Sequence, residues 1–125
     1  MAPQTHDPRF LAGLRLFYQG HYFESHEEWE AIWRDSSGAI RSFYQGLILI
    51  DAAILHTQRG HWRGVTSLLK KSLAYLDDCA DTTEGMDIRR LRTLLRNYRR
   101  EAVMLRDGHK QTFDPSRIPE LIVAV

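Results

Sequence analysis

The sequence predicts an all-α fold, a compact bundle of about five helices followed by an extended C-terminal tail. Three observations carry this. Apolar residues recur at helical spacing in five successive segments, and glycines or polar clusters punctuate the junctions between them. No segment holds the period-two alternation of a half-buried strand, so no sheet is expected.

The elements follow in order. Asp7-Pro8 supplies an N-cap followed by proline at the first helical position. Phe10, Leu14, Phe17 and Tyr18 then mark a first helix that stops at Gly20. A second helix spans about Tyr22 to Asp35 and is broken by Ser36-Ser37-Gly38. A third begins near Ala39 and ends near Arg59, with Gly60 closing it. The fourth starts near His61, carries Val65, Leu68, Leu69, Leu73 and Leu76, and ends near Cys79, before the polar loop Asp81 to Gly85. The fifth, about 87–106, places Ile88, Leu91, Leu95, Tyr98, Ala102 and Leu105 on one stripe, and Gly108 closes it.

In the tail, 109–125, Pro115 and Pro119 forbid a long helix, while Phe113, Ile118 and Leu121 to Val125 are too apolar for a free end. The tail is expected to run extended over its own bundle, with a partner subunit as the alternative. The tripeptide Gly20-His21-Tyr22 is echoed by Gly60-His61-Trp62 at a second helix junction. An echo this short is weak support for a repeat of two helical hairpins.

At 125 residues the chain is expected to be a single helical domain, 1–125. A net charge of +1 gives no global attraction to nucleic acid or anionic membrane. The single cysteine, Cys79, excludes an intramolecular disulfide and reads as a small buried hydrophobe. The N-terminal residues lack an apolar signal core, and the apolar run Leu47 to Leu55 is interrupted by Asp51 and shorter than a span of about 20 residues. A cytoplasmic protein without membrane contact is the expectation.

The second helix holds the residues that call for chemistry. His26, Glu27, Glu30 and Arg34 share it with Phe23, Trp29 and Trp33, so groups that bind metals or protons lie among aromatics drawn toward a core. Residues three and four apart share a helix face, which aligns His26 with Glu30, and Glu27 with Glu30 and Arg34. The third helix offers Gln45 and His56 on one face, with Asp51 to its side. If the two helices pair, His26 and Glu30 meet Gln45, Asp51 or His56. The candidate polar site is therefore His26, Glu27, Glu30, Arg34, Gln45 and His56.

Two chemistries are open to this set. A divalent metal held by His26, Glu30 and His56 would support hydrolysis. The pattern matches neither the two-histidine zincin spacing nor the paired carboxylate–histidine motifs of di-iron bundles. A satisfied polar network, with Glu30 and Arg34 as an i, i+4 ion pair, is preferred over it. Elsewhere no nucleophile elbow, phosphate loop or calcium loop occurs. His6, His21, His61 and His109 read as surface or turn residues. The arginine row Arg89, Arg92, Arg96 and Arg99 reads as a solvated face, or as salt bridges to the acidic end of the fourth helix. Nucleic-acid binding through it is the lesser alternative.

The pattern Gly20-x-Tyr-Phe-Glu-x-His-Glu-x-x-Glu-x-x-Trp-Arg34, then Tyr44-Gln-Gly-Leu-Ile48, His56, Arg59-Gly60, Gly64 and Leu68-Leu69, resembles the prokaryotic family called domain of unknown function 309. The likeness covers about 10–76. It implies a compact helical fold and the polar residues His26, Glu27, Glu30, Arg34, Gln45 and His56, but no established activity or cofactor. Asp51 stands where that family is expected to carry a small or apolar residue. The leading functional expectation is a non-catalytic binding or interaction module, with a second copy of the chain as partner and a dimer as the simplest case. A small polar ligand is a further expected partner. The alternatives are a metal-assisted hydrolase at the His26/Glu27/Glu30 cluster and nucleic-acid binding by the arginines.

Overall fold

The computed structural model describes residues 6–123. The first five residues and the last two, which the sequence reading placed in the N-terminal lead and the apolar tail, lie outside the described residues. The chain forms α1 (Pro8–Tyr18), α2 (Tyr22–Arg34), α3 (Gly38–Gln58), α4 (Trp62–Leu76), two short strands β1 (Thr82–Thr83) and β2 (Met86–Asp87), then α5 (Ile88–Arg106) and one 3-10 turn at Pro115–Arg117. Each helix packs chiefly on its neighbours in sequence. The all-α bundle with an extended tail is therefore the architecture.

Capping sets the start of α1 as the sequence predicts. The Asp7 carboxylate accepts from the Arg9 backbone N–H at 2.8 Å, and Pro8 occupies the first helical position. Asp87 caps α5 by accepting from the Arg90 N–H at 3.0 Å.

The echoed tripeptides adopt the same turn. Gly20 and Gly60 have φ of 82° and 69°, a conformation that costs glycine no Cβ clash. His21 N–H donates to Leu16 O at 2.8 Å and Gly20 N–H to Phe17 O at 3.0 Å. His61 and Gly60 repeat the pattern on His56 O and Thr57 O, both at 3.0 Å. Both are Schellman closures. Burial recurs at the same offset, with Phe10 and Ile50, Leu14 and Ile54, and Trp29 and Leu69 all buried. The two turns thus share one geometry, although α1 has 11 residues and α3 has 21.

Close approach fixes each hairpin. A Cβ on Gly13 would lie 2.2 Å from Trp29 Nε1, so only glycine lets α1 rest on that indole. The Trp29 N–H donates to Phe10 O at 3.3 Å, which satisfies the one polar atom of a fully buried side chain. In the second hairpin Ser72 donates to Gly46 O at 2.8 Å.

α3 occupies the middle of the bundle. Its 21 residues are long and apolar enough to cross a membrane by length and composition, a correction to the short run read from the sequence. The helix is instead sandwiched between α2 and α4, with half of its most apolar window buried.

Two further corrections concern the second half. The loop after α4 contains a β-hairpin where no sheet was expected, with Thr82 opposite Asp87 and Thr83 opposite Met86. Glu84 and Gly85 form its two-residue turn with φ of 53° and 75°, the geometry that joins twisted antiparallel strands. The tail then adds a bridge from Val123 to Met86. The tail covers the chain's own core: Phe113 stacks near Trp62 and Tyr98, Leu121 is buried, and its carbonyl accepts from the Tyr18 hydroxyl.

Candidate functional site

α2 holds its polar residues on a face that solvent reaches. Glu30 lies at the centre. One carboxylate oxygen accepts from Arg34 Nη2 at 2.9 Å and the other lies 3.3 Å from His26 Nε2. The i, i+4 spacing places all three on one row, and the order from Glu30 to Arg34 favours the helix dipole. Roughly a third of the His26 and Glu30 side chains is accessible (29% and 32%), so the row is neither sealed nor fully solvated. The Phe23 ring sits 6.0 Å from the His26 ring and is itself more than half exposed. Glu27 is exposed on the adjoining flank.

The other predicted members do not join this row. Gln45 is half-buried on α3 and makes no side-chain hydrogen bond among the described residues. His56 lies at the C-terminal end of α3, against Gly64 and 5.8 Å from the His61 ring. A Cβ on Gly64 would approach His56 Nδ1 to 2.7 Å, so that glycine makes room for the imidazole. Among the described residues no three His, Cys, Asp or Glu side chains converge as metal ligands, so His26, Glu30 and His56 do not form such a set.

Trp33, also on α2, is covered by the Arg41 guanidinium at 4.1 Å, a cation–π contact that ties α2 to the start of α3. His6, expected at the surface, is instead half-buried, its ring against Phe10 and 3.6 Å from Glu84.

The polar group that sequence reasoning set aside is the most perturbed in the fold. Asp51, in the middle of α3, has no accessible surface, and neither carboxyl oxygen has a hydrogen-bond partner among the described residues. Burial pushes its pKa up to about 8, against an opposing influence from Ser25. The Ser25 hydroxyl is likewise buried and outside hydrogen-bond geometry. Tyr22, on the first turn of α2, has its phenol pKa raised by burial and by the Asp51 charge, which places it in the same pocket of polarity. Beyond it the Thr57 and Tyr98 hydroxyls bond to each other and join α3 to α5. The signal in the sequence was Asp51 itself, an acid inside the most apolar run of the chain.

On α5, Arg92 donates to Leu76 O at 3.0 Å and to Asp81 at 3.1 Å, the expected bridge to the end of α4. Arg99 donates to Thr66 O at 3.1 Å.

No curated protein matches the chain. A family model does: that described as Domain of unknown function (DUF309) matches residues 10–68. The match takes in α1 from Phe10, all of α2 and α3, and α4 as far as Leu68, somewhat less than the stretch read from the sequence. Over those residues, which include every member of the candidate polar site, the chain carries the domain of unknown function that its sequence resembles.

Proposed function

We propose that this chain is a non-catalytic interaction module that self-associates through the outer face of α2. The observation that carries the reading is Phe23, 56% exposed beside His26 and the Glu30–Arg34 ion pair. An acid–base centre needs a group free to accept or release a proton at a substrate, and one Glu30 oxygen is occupied by Arg34 while the other faces His26 Nε2 at 3.3 Å. A large aromatic ringed by polar groups is instead the composition of an interface centre with its rim.

A second copy fits this face by charge. α2 carries Glu24, Glu27 and Glu28 in its first half and Arg34 at its end. Two such helices laid antiparallel about a twofold axis put the acids of each against the arginine of the other, with one Phe23 ring at each end of the seam.

The test is the mass in solution, measured by light scattering on a sizing column. Wild type should elute as a dimer at micromolar concentration, and Phe23→Ser should shift it to monomer without lowering Tm. Arg34→Glu should also dissociate it, and adding Glu27→Arg should restore the pair. A monomeric wild type ends the proposal.

A further inference from the structure

We infer that α5 and its groove against α4 form a binding track for the phosphate backbone of nucleic acid. α5 carries seven arginines and no lysine, and its one acid, Glu101, is turned inward to accept from Lys110 at 2.6 Å and from the Asp114 N–H at 2.7 Å. α4 adds Arg63, Lys70 and Lys71 and no acid. The near-neutral total charge of the chain thus conceals a strongly basic side to α5.

The side is shaped as well as charged. An open cavity of about 490 Å³ is lined by Arg89, Arg90, Arg92 and Arg96, with Asp87 and Thr93 at its edge. The Asp87 carboxylate is engaged by the helix it caps. A second cavity of about 370 Å³ continues from Arg96 to Arg99 and Arg100 over a floor of Leu73 and Val103. Arg96 lines both. From Arg89 to Arg100 the helix rises by about 16 Å. That length exceeds a single phosphate and suits several in succession.

Two of the guanidiniums are fixed in place. Arg99 is held by a neutral backbone carbonyl, which orients it and leaves its charge intact. Arg92 is held by Leu76 O and Asp81. Arg89 and Arg96 have no carboxylate partner among the described residues, and both are exposed. Arginine presents a planar fork that meets phosphate oxygens in pairs, which makes a run of arginines more specific for phosphate than lysines would be. A membrane-surface helix would carry exposed aromatic or aliphatic residues beside its cations, and the one large exposed hydrophobic on α5 is Met104.

The test is fluorescence anisotropy with a labelled 20-nucleotide RNA and a DNA duplex of the same length, in a salt series. Engagement of four phosphates predicts a slope of log affinity against log salt between about −3 and −4. The triple variant Arg89→Gln/Arg96→Gln/Arg100→Gln should lose about tenfold or more in affinity at low salt and flatten the slope. The pair Arg15→Gln/Arg59→Gln, on α1 and at the end of α3, should bind as wild type. No binding by wild type at the lowest salt overturns the inference. So does equal loss in both variants, or capture by anionic phospholipid vesicles with no affinity for either nucleic acid.

Discussion

Replacing Asp51 by asparagine should make the protein more stable, and increasingly so as pH rises. The carboxyl is fully buried and unpartnered, with a pKa pushed up from 3.8 to about 8. The folded protein therefore holds a proton there that the unfolded chain has released. Between those values the native state binds more protons than the unfolded state, so unfolding free energy falls as pH rises. The stabilisation is complete below about pH 4 and is lost by about pH 8, at a limiting slope of about 1.4 kcal/mol per pH unit. At neutral pH the accumulated penalty is about 4 kcal/mol, a large part of the stability of a domain this size. Asparagine keeps the shape and never ionises. Urea unfolding of wild type and Asp51→Asn across this range isolates the contribution, because other titrating groups cancel in the difference. The two should be similar near pH 4 and diverge steadily above it, with the variant the more stable. A difference that stays constant with pH would refute the reasoning.

Gly13→Ala should cost about 1–3 kcal/mol, because its Cβ would meet the Trp29 indole and force α1 off α2; thermal unfolding measures it, and an unchanged Tm would show the indole free to move. Glu101 is the opposite case to Asp51. Its bonds from Lys110, the Asp114 N–H and Arg117 outweigh desolvation and hold its pKa below the usual 4.5. Its contribution is therefore present above that value and lost as pH falls through the folded pKa. Glu101→Gln should lower Tm at neutral pH by loosening the segment that follows α5, and the deficit should vanish in acid.

The helices were legible because each is written locally. An apolar stripe and a stop lie close together in the sequence, and for α1 a cap at Asp7-Pro8 precedes them. The echo of Gly20-His21-Tyr22 in Gly60-His61-Trp62 was legible for the same reason, since three residues set a Schellman turn wherever they fall. The hairpin at Thr82–Asp87 was not. Two-residue strands are too short for alternation to register, and what holds them is remote: Met86 is buried under the tail through Val123.

The candidate site separates along the same line. The row His26, Glu30 and Arg34 lies on one helix, so spacing alone assembled it. Joining it to Gln45 and His56 required the rotation and offset of α3 against α2, and no period in either helix encodes those. The rotation that occurs turns Asp51 inward toward Ser25 and Tyr22 and leaves His56 beside His61. Ordinarily such an acid would be excluded from a core, and hydrophobic patterning alone would have predicted it to face out. It stays because its neighbours on α3, Ile48, Ile50 and Ile54, all demand burial, and a helix cannot turn one residue out without turning out its stripe. The cost falls on the proton equilibrium of Asp51 rather than on the packing. The chain thus keeps one polar group it cannot solvate, and pH is the variable through which that group bears on the fold.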